Sequence, residues 1–268
     1  MEKFIIPDND RFRMSATVKG NQPKWVIGNK FVKADYFGYE SIVESLVATL
    51  EQYIVGFDYV DYFPCLIEVG GHTYTGCYSP NFLKEGESLI PVYRMLLRYF
   101  GSEERVYAKL KNGRDMVEMV IRVCGNVTGL DEWYIGQYFA NIIQLDAIIL
   151  NEDRHLNNIC FIEDADGRFR GATVFDNGLG LLSDTYMYPF YGYIEQSMRR
   201  VKAKPFSTSF KKQLSYFSEF DKLRIDVYSF LTDLGTFTCD FKKKELVRAK
   251  TVLAKMLTDL AGVAYDPV

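Results

Sequence analysis

The stretch that most narrows the folds open to this chain lies just past its middle. Over 131–149 the residues Trp133, Ile135, Tyr138, Phe139, Ile142, Ile143, Leu145 and Ile149 recur at helical spacing, and Asp131 stands where an N-cap belongs. That helix runs straight into an almost wholly polar octet, Asn151-Glu152-Asp153-Arg154-His155-Leu156-Asn157-Asn158. Polar groups beside a buried helix must be solvated or must hold something, because burying them unpaired is costly. Two short strands are expected next, at 159–162 and 169–175, around the turn Glu163-Asp164-Ala165-Asp166-Gly167. The second leads into Asp176-Asn177-Gly178, so a strand-turn-strand unit returns Asp176 to the octet.

A carboxylate at Asp153, an amide at Asn158 and a second carboxylate at Asp176 suit one chemistry well. The first can orient a hydroxyl, and the other two can supply oxygens to magnesium. That ion prefers one or two carboxylates plus phosphate oxygens and water. Asp146 lies one turn inside the helix amid Leu145, Ile148 and Ile149, where an acid needs a partner, and it is expected to anchor the loop. Arg154 is expected to be an ion-pair partner rather than a catalyst.

The octet, followed by Phe175-Asp176-Asn177-Gly178, resembles the catalytic loop and metal-binding motif of the HipA-like kinases. These are bacterial relatives of the protein kinase and phosphatidylinositol kinase fold, with an Asp-x-His order that Asp153 and His155 reproduce. The resemblance implies a bilobal α+β kinase-like fold, with a small β-rich N-lobe (1–80), a hinge (81–86) and a larger helical C-lobe (87–268). It also implies use of ATP and Mg²⁺, with Asp153 as base or hydroxyl-orienting group and Asn158 and Asp176 as metal ligands. His155 either contacts phosphate or packs beneath the loop.

The upstream third reads as strands around one helix. Residues 24–27, Gly28-Asn29 and 30–34 form a hairpin pattern. An amphipathic helix is expected over about 39–53, then a second hairpin with Gly70-Gly71 at its turn. A kinase-like site needs a cation on the nucleotide phosphates, held by a glutamate of the neighbouring helix. Lys33 fits, whereas Lys30, three residues away, faces the other side of its strand. The partner expected is Glu40, with Glu44 one turn later as the alternative, and the Gly38-Tyr39-Glu40 context again resembles the HipA-like group. Ser15, Thr17 and Lys19 could donate to phosphate, but their segment lacks a G-x-G-x-x-G pattern and reads equally as an ordinary loop. Adenine is expected against 79–83, with Asn81 and Phe82 as contacts. From Glu87 onward the chain reads as almost entirely helical apart from the strand pair, with late helices over 206–218, 220–234 and 241–261.

Composition limits the partners. Thirty-two basic against 35 acidic residues give a net charge of −3, so direct DNA binding is not expected. No apolar run approaches the roughly 18 residues of a membrane span. The opening residues carry no leader pattern, and five scattered cysteines with only two histidines suit a reducing, cytoplasmic setting. Between 196 and 218 stand Arg199, Arg200, Lys202, Lys204, Lys211 and Lys212 without an acid. They read either as one solvated helix face or as a patch for an acidic partner, such as a protein substrate or an antitoxin. Together these features lead us to expect a Ser/Thr protein kinase. A small-molecule or lipid kinase and an inactive nucleotide-binding scaffold are the rivals.

Overall fold

In a computed structural model describing residues 1–7, 22–111, 113–260 and 262–268, the first hairpin pairs β2 (Lys24–Ile27) with β3 (Lys30–Ala34). Gly28 takes φ 56°, as the first central position of a two-residue hairpin turn demands. β4 (Phe63–Val69) and β5 (His72–Pro80) form the second hairpin, with Gly70 and Gly71 both at positive φ. β1 (Glu2–Ile6) adds in parallel along β4, completing a five-stranded sheet of order β1-β4-β5-β3-β2.

Helix α1 (Glu40–Glu51) packs against β4 and β5. Its sequence suggested one apolar face, yet eleven of its twelve residues are buried. The strands cover one side and the helical half the other, so its glutamates point into protein rather than water. Ser45 and Thr49 meet this burial by donating back to the carbonyls of Ser41 and Ser45.

After the segment 81–87 the chain forms β6 (Ser88–Pro91), where helix was expected; a four-residue strand is too short to betray its period. It pairs with β7 (Cys160–Glu163), which pairs with β8 (Phe169–Gly171). β8 stops four residues before Phe175 because its partner strand begins only at Cys160. The helical half comprises α2 (Val92–Phe100), α3 (Glu103–Lys109), α4 (Arg114–Thr128), α5 (Glu132–Ile149), α6 (Ile194–Met198), α7 (Phe210–Ser215), α8 (Val227–Leu234) and α9 (Lys243–Asp259). Asp131 caps α5 as expected, accepting from the N–H groups of Trp133 and Tyr134. The late helices are shorter than their sequence spans. Part of that sequence forms β9 (Leu223–Ile225), paired with β10 (Tyr265–Pro267). All five cysteines are buried and free, and among the described residues no helix is long and apolar enough to cross a membrane.

One close approach fixes the floor beneath Lys33. Gly76 of β5 lies so near β3 that a Cβ there would sit 2.3 Å from the carbonyl oxygen of Lys33 and 2.5 Å from Ile67 Cδ1. Gly76→Ala should therefore cost about 1–3 kcal/mol, read as a lower urea midpoint at unchanged slope. A midpoint equal to wild type would contradict this packing.

Candidate functional site

The end of α5 shapes the octet. Leu150 adopts φ 53° and stops the helix, and the Asn151 side chain then donates to Asp146 Oδ1 at 2.9 Å. Asn151 Oδ1 in turn accepts from the Asp153 N–H at 3.1 Å. Arg154 is fully buried and pairs with Asp146 through Nε at 3.0 Å. Its other nitrogens donate to the carbonyls of Asn158 (3.3 Å) and Phe175 (2.6 Å) and to Asn177 Oδ1 (2.6 Å). One guanidinium thus joins the helix, the loop and the Asp-Asn-Gly segment, in the structural role its sequence suggested.

This arrangement brings Asp153, His155, Asn158 and Asp176 around one polar chamber of about 50 Å³. Asp153 Oδ1 accepts from Lys204 Nζ at 3.0 Å, and His155 Nε2 lies 3.9 Å from Asp153 Oδ2. Among the described residues, Asn158 Oδ1 and His155 Nδ1 are buried without a hydrogen-bond partner. Asp176 has φ 62°. Of the five described non-glycine residues at positive φ, Asp176 lines this chamber, while Leu150, Leu181 and Leu182 flank the octet and the Asp-Asn-Gly segment in sequence. Such strain persists only where the surroundings over-determine it, and it gathers at working sites.

Next to the chamber, and sharing Lys24 and Asp176 with it, lies a cavity of about 400 Å³ between the two halves. Its walls include Trp25, Val32, Tyr62, Phe82, Leu89 and Phe175. Phe82 stacks on Phe175 at 5.9 Å, so this expected contact lines the cavity. Asn81 does not. Its N–H donates to Asn29 O and its side chain accepts from the Leu83 N–H, which turns it into the connection.

Lys33 is buried at the inner end, with Nζ 2.9 Å from Asp176 Oδ1 and 2.8 Å from Glu44 Oε1. Burial opposes its charge, but Asp176 and Glu44 outweigh that and hold its pKa well above the ordinary lysine value. Lys30 points to the other face and pairs with Glu2 at 2.6 Å. The glutamate partner is Glu44, not the expected Glu40. Glu40 folds back over the preceding turn and accepts the N–H groups of Tyr36, Phe37 and Gly38 at 3.0, 2.6 and 2.9 Å. Three backbone donors in reach outcompete a lysine one turn further on. Glu44 also accepts the Asn177 N–H at 3.0 Å, and Gly178 allows that approach: a Cβ there would lie 3.0 Å from Glu40 Cβ.

The sequence reading missed Lys24. It sits directly across the hairpin from Lys33, and its Nζ lies 3.2 Å from Asp176 Oδ1. The turn length alone sets that register, so the pairing was legible in the sequence. Burial works against the Asp176 charge, but Lys33 and Lys24 hold its carboxyl far below the usual range. Lys204 was read only as part of the basic stretch; that stretch does not form one helix, since α6 ends at Met198 and Lys204 lies beyond it against Asp153. Ser15, Thr17 and Lys19 lie outside the described residues.

A divalent cation fits what is present. Asn158 Oδ1 is an unclaimed buried acceptor, and Asp176 is an ionised carboxylate on the same chamber. Among the described residues no group of three His, Cys, Asp or Glu could hold a metal alone, so phosphate oxygens would complete the ligand set.

Glu51 carries a consequence for pH. It is buried beside Glu44, accepts from Asn177 Nδ2 at 3.2 Å, and its pKa lies well above 4.5, first through burial and then through the Glu44 charge. A raised carboxyl pKa gives stability that is complete below about pH 4.5 and lost as pH rises toward the folded value. Glu51→Gln should therefore melt above wild type at pH 8, by roughly 2–4 °C per kcal/mol, with the gap closing toward pH 5. A gap that does not change with pH would contradict the burial of a protonated acid.

No protein-family model matches this sequence, and no curated protein matches it significantly. Solved structures do. The Helicobacter pylori proinflammatory kinase CtkA matches with TM-score 0.62 at 14% identity, over 89% of this chain and 90% of that one. HipA of Shewanella oneidensis MR-1, from a toxin–antitoxin complex with HipB and operator DNA, matches with TM-score 0.50 at 13% identity, over 90% of this chain and 64% of that one. At these identities the likeness establishes the architecture: this chain has the bilobal, kinase-type α+β fold of the HipA-like kinases.

Proposed function

We propose that this chain is an ATP- and Mg²⁺-dependent phosphotransferase acting on a Ser or Thr hydroxyl of a protein. The boundaries we assign are an N-lobe at 1–80, a hinge at 81–86 and a C-lobe from 87. The observation that carries the reading is the convergence of Lys33, Asp153, Asn158 and Asp176, from three separate stretches, where a polar chamber meets an apolar cavity. The cavity has the size and wall chemistry of a purine site, within the roughly 300–1,000 Å³ of small-molecule pockets. Glu44 holds Lys33 for the nucleotide phosphates, and Asn158 and Asp176 face the chamber for the metal. Magnesium there supplies charge neutralisation for the transferring phosphoryl group.

Asp153 faces the acceptor side, about a third exposed. It takes the hydroxyl proton as that oxygen bonds to the γ-phosphorus and the bond to the β,γ-bridging oxygen breaks, releasing ADP. Lys204 and His155 flank its carboxylate, where His155 orients the base or meets phosphate. On the same side the chain from 186 to 204 presents Tyr186, Tyr191 and Tyr193, at 82%, 83% and 73% exposed, followed by the exposed Arg199, Arg200 and Lys202. Exposed aromatic rings followed by a run of cations suit an acidic polypeptide, as substrate or as an antitoxin-type partner. We assign it to the cytoplasm, where ATP is at hand and the five buried cysteines stay free.

Asp153→Asn keeps the shape of the side chain and removes its charge. The variant should bind Mg²⁺·ATP as wild type does in calorimetry, yet transfer labelled phosphate to lysate protein at least about 10²-fold more slowly. Equal turnover would make Asp153 structural, and no turnover in either protein would leave a nucleotide-binding scaffold. Lys33→Met should weaken nucleotide binding while Lys30→Met leaves it unchanged; like behaviour of the two would contradict the strand-face assignment.

A further inference from the structure

A second lysine reaches the metal-facing carboxylate, and no step above employs it. Lys24 and Lys33 are direct cross-strand partners, so their side chains leave the same face of the β2–β3 hairpin. Like charges in that position repel unless an anion lies between them, and here the anion is Asp176. Its carboxylate accepts from Lys33 at 2.9 Å and from Lys24 at 3.2 and 3.3 Å. Lys33 is bound on three sides, by Glu44, Asp176 and Tyr62. The Lys24 ammonium faces the chamber and the cavity at their junction. A divalent ion at Asp176 would therefore stand within a few ångströms of two ammonium groups, which is strongly unfavourable unless further negative charge arrives with it.

Beside Lys24 lies an unsatisfied donor. The Gln22 side-chain amide also lines the chamber, and its Nε2 is buried with no acceptor among the described residues. An amide donor without an acceptor, next to an ammonium whose anion can be exchanged, is an anion site awaiting oxygens.

We infer that Lys24 is a place-holding cation: it occupies Asp176 in the nucleotide-free protein, blocks metal from binding there alone, and moves with Gln22 onto the nucleotide phosphates when Mg²⁺·nucleotide enters. Three donors on one ammonium allow that exchange with a small side-chain movement. The phosphate-covering role then falls partly to the strand entry at Gln22–Lys24. The inference rests on the phosphotransferase reading for the identity of the nucleotide, but its first readout is metal affinity without any nucleotide.

The test is Mn²⁺ binding to the full chain, followed by electron paramagnetic resonance with and without the non-hydrolysable analogue AMP-PNP. Wild type should bind Mn²⁺ weakly alone and tightly with AMP-PNP. Lys24→Met should bind Mn²⁺ alone at least about tenfold more tightly than wild type, the scale expected on removing a unit charge so close to a partly buried ion. It should also bind AMP-PNP about tenfold more weakly. Lys24→Gln should behave as Lys24→Met does, which guards against a folding defect peculiar to one side chain. Adding Asp176→Asn should abolish the gain. Unchanged Mn²⁺ affinity in both Lys24 variants, with wild type still binding Mn²⁺ and AMP-PNP together, overturns the inference and leaves the phosphotransferase reading standing. Failure of wild type to bind AMP-PNP at all overturns both.

Discussion

The buried ion pair between Arg154 and Asp146 is the contact on which the rest of the site depends. Removing two charges from water costs several kcal/mol per ion, and their attraction offsets this only when the remaining donors are satisfied. Here they are satisfied by the parts that must be brought together: the carbonyls of Asn158 and Phe175 and the amide of Asn177. Each bond that makes Arg154 tolerable in the interior also sets the distance between Asp153 on one side and Asp176 on the other. An apolar replacement could fill the volume but could not join three backbone segments. That explains why charge lies at the centre of an otherwise apolar core.

From this hub the polar network reaches the strand half through α1. Asn177 donates to both Glu44 and Glu51, and Glu44 receives Lys33. The helix is thus a wall between the two halves and also the carrier of the acids that bind them. Its burial on all sides follows from that position. The cation at the cleft and the carboxylate opposite it are mutually stabilising, which keeps both ionised in a place where either alone would be driven neutral.

Much of this was legible in the sequence where a local pattern carried it. The octet, the Asp-Asn-Gly segment, the two glycine-turn hairpins and the capped apolar helix each announce themselves over a few residues, and the likeness to CtkA and HipA bears out the fold they imply. What escaped was tertiary in origin. Glu40 and Glu44 share one helix face, and only the three N–H groups of the 36–38 turn, folded under Glu40, decide between them. Lys204 approaches Asp153 across fifty residues, and no spacing rule predicts that. Strands of three or four residues, such as β6 and β9, carry too little sequence to show a period. Lys24 is the instructive case, since counting back across the Gly28-Asn29 turn pairs it with Lys33, and Asp176 closes the triad only in three dimensions.

The most direct test of the central claim, that one chamber gathers a metal and a nucleotide between Asp153 and Asp176, is a crystal of the protein with Mn²⁺ and AMP-PNP, read by anomalous scattering. The account predicts a single strong peak within ligand distance of Asp176 and Asn158, near 2 Å as for the octahedral magnesium it replaces. The γ-phosphate should lie between that peak and the Asp153 carboxylate. A nucleotide seated in the cavity with its metal elsewhere, or with its phosphates turned away from Asp153, would contradict it.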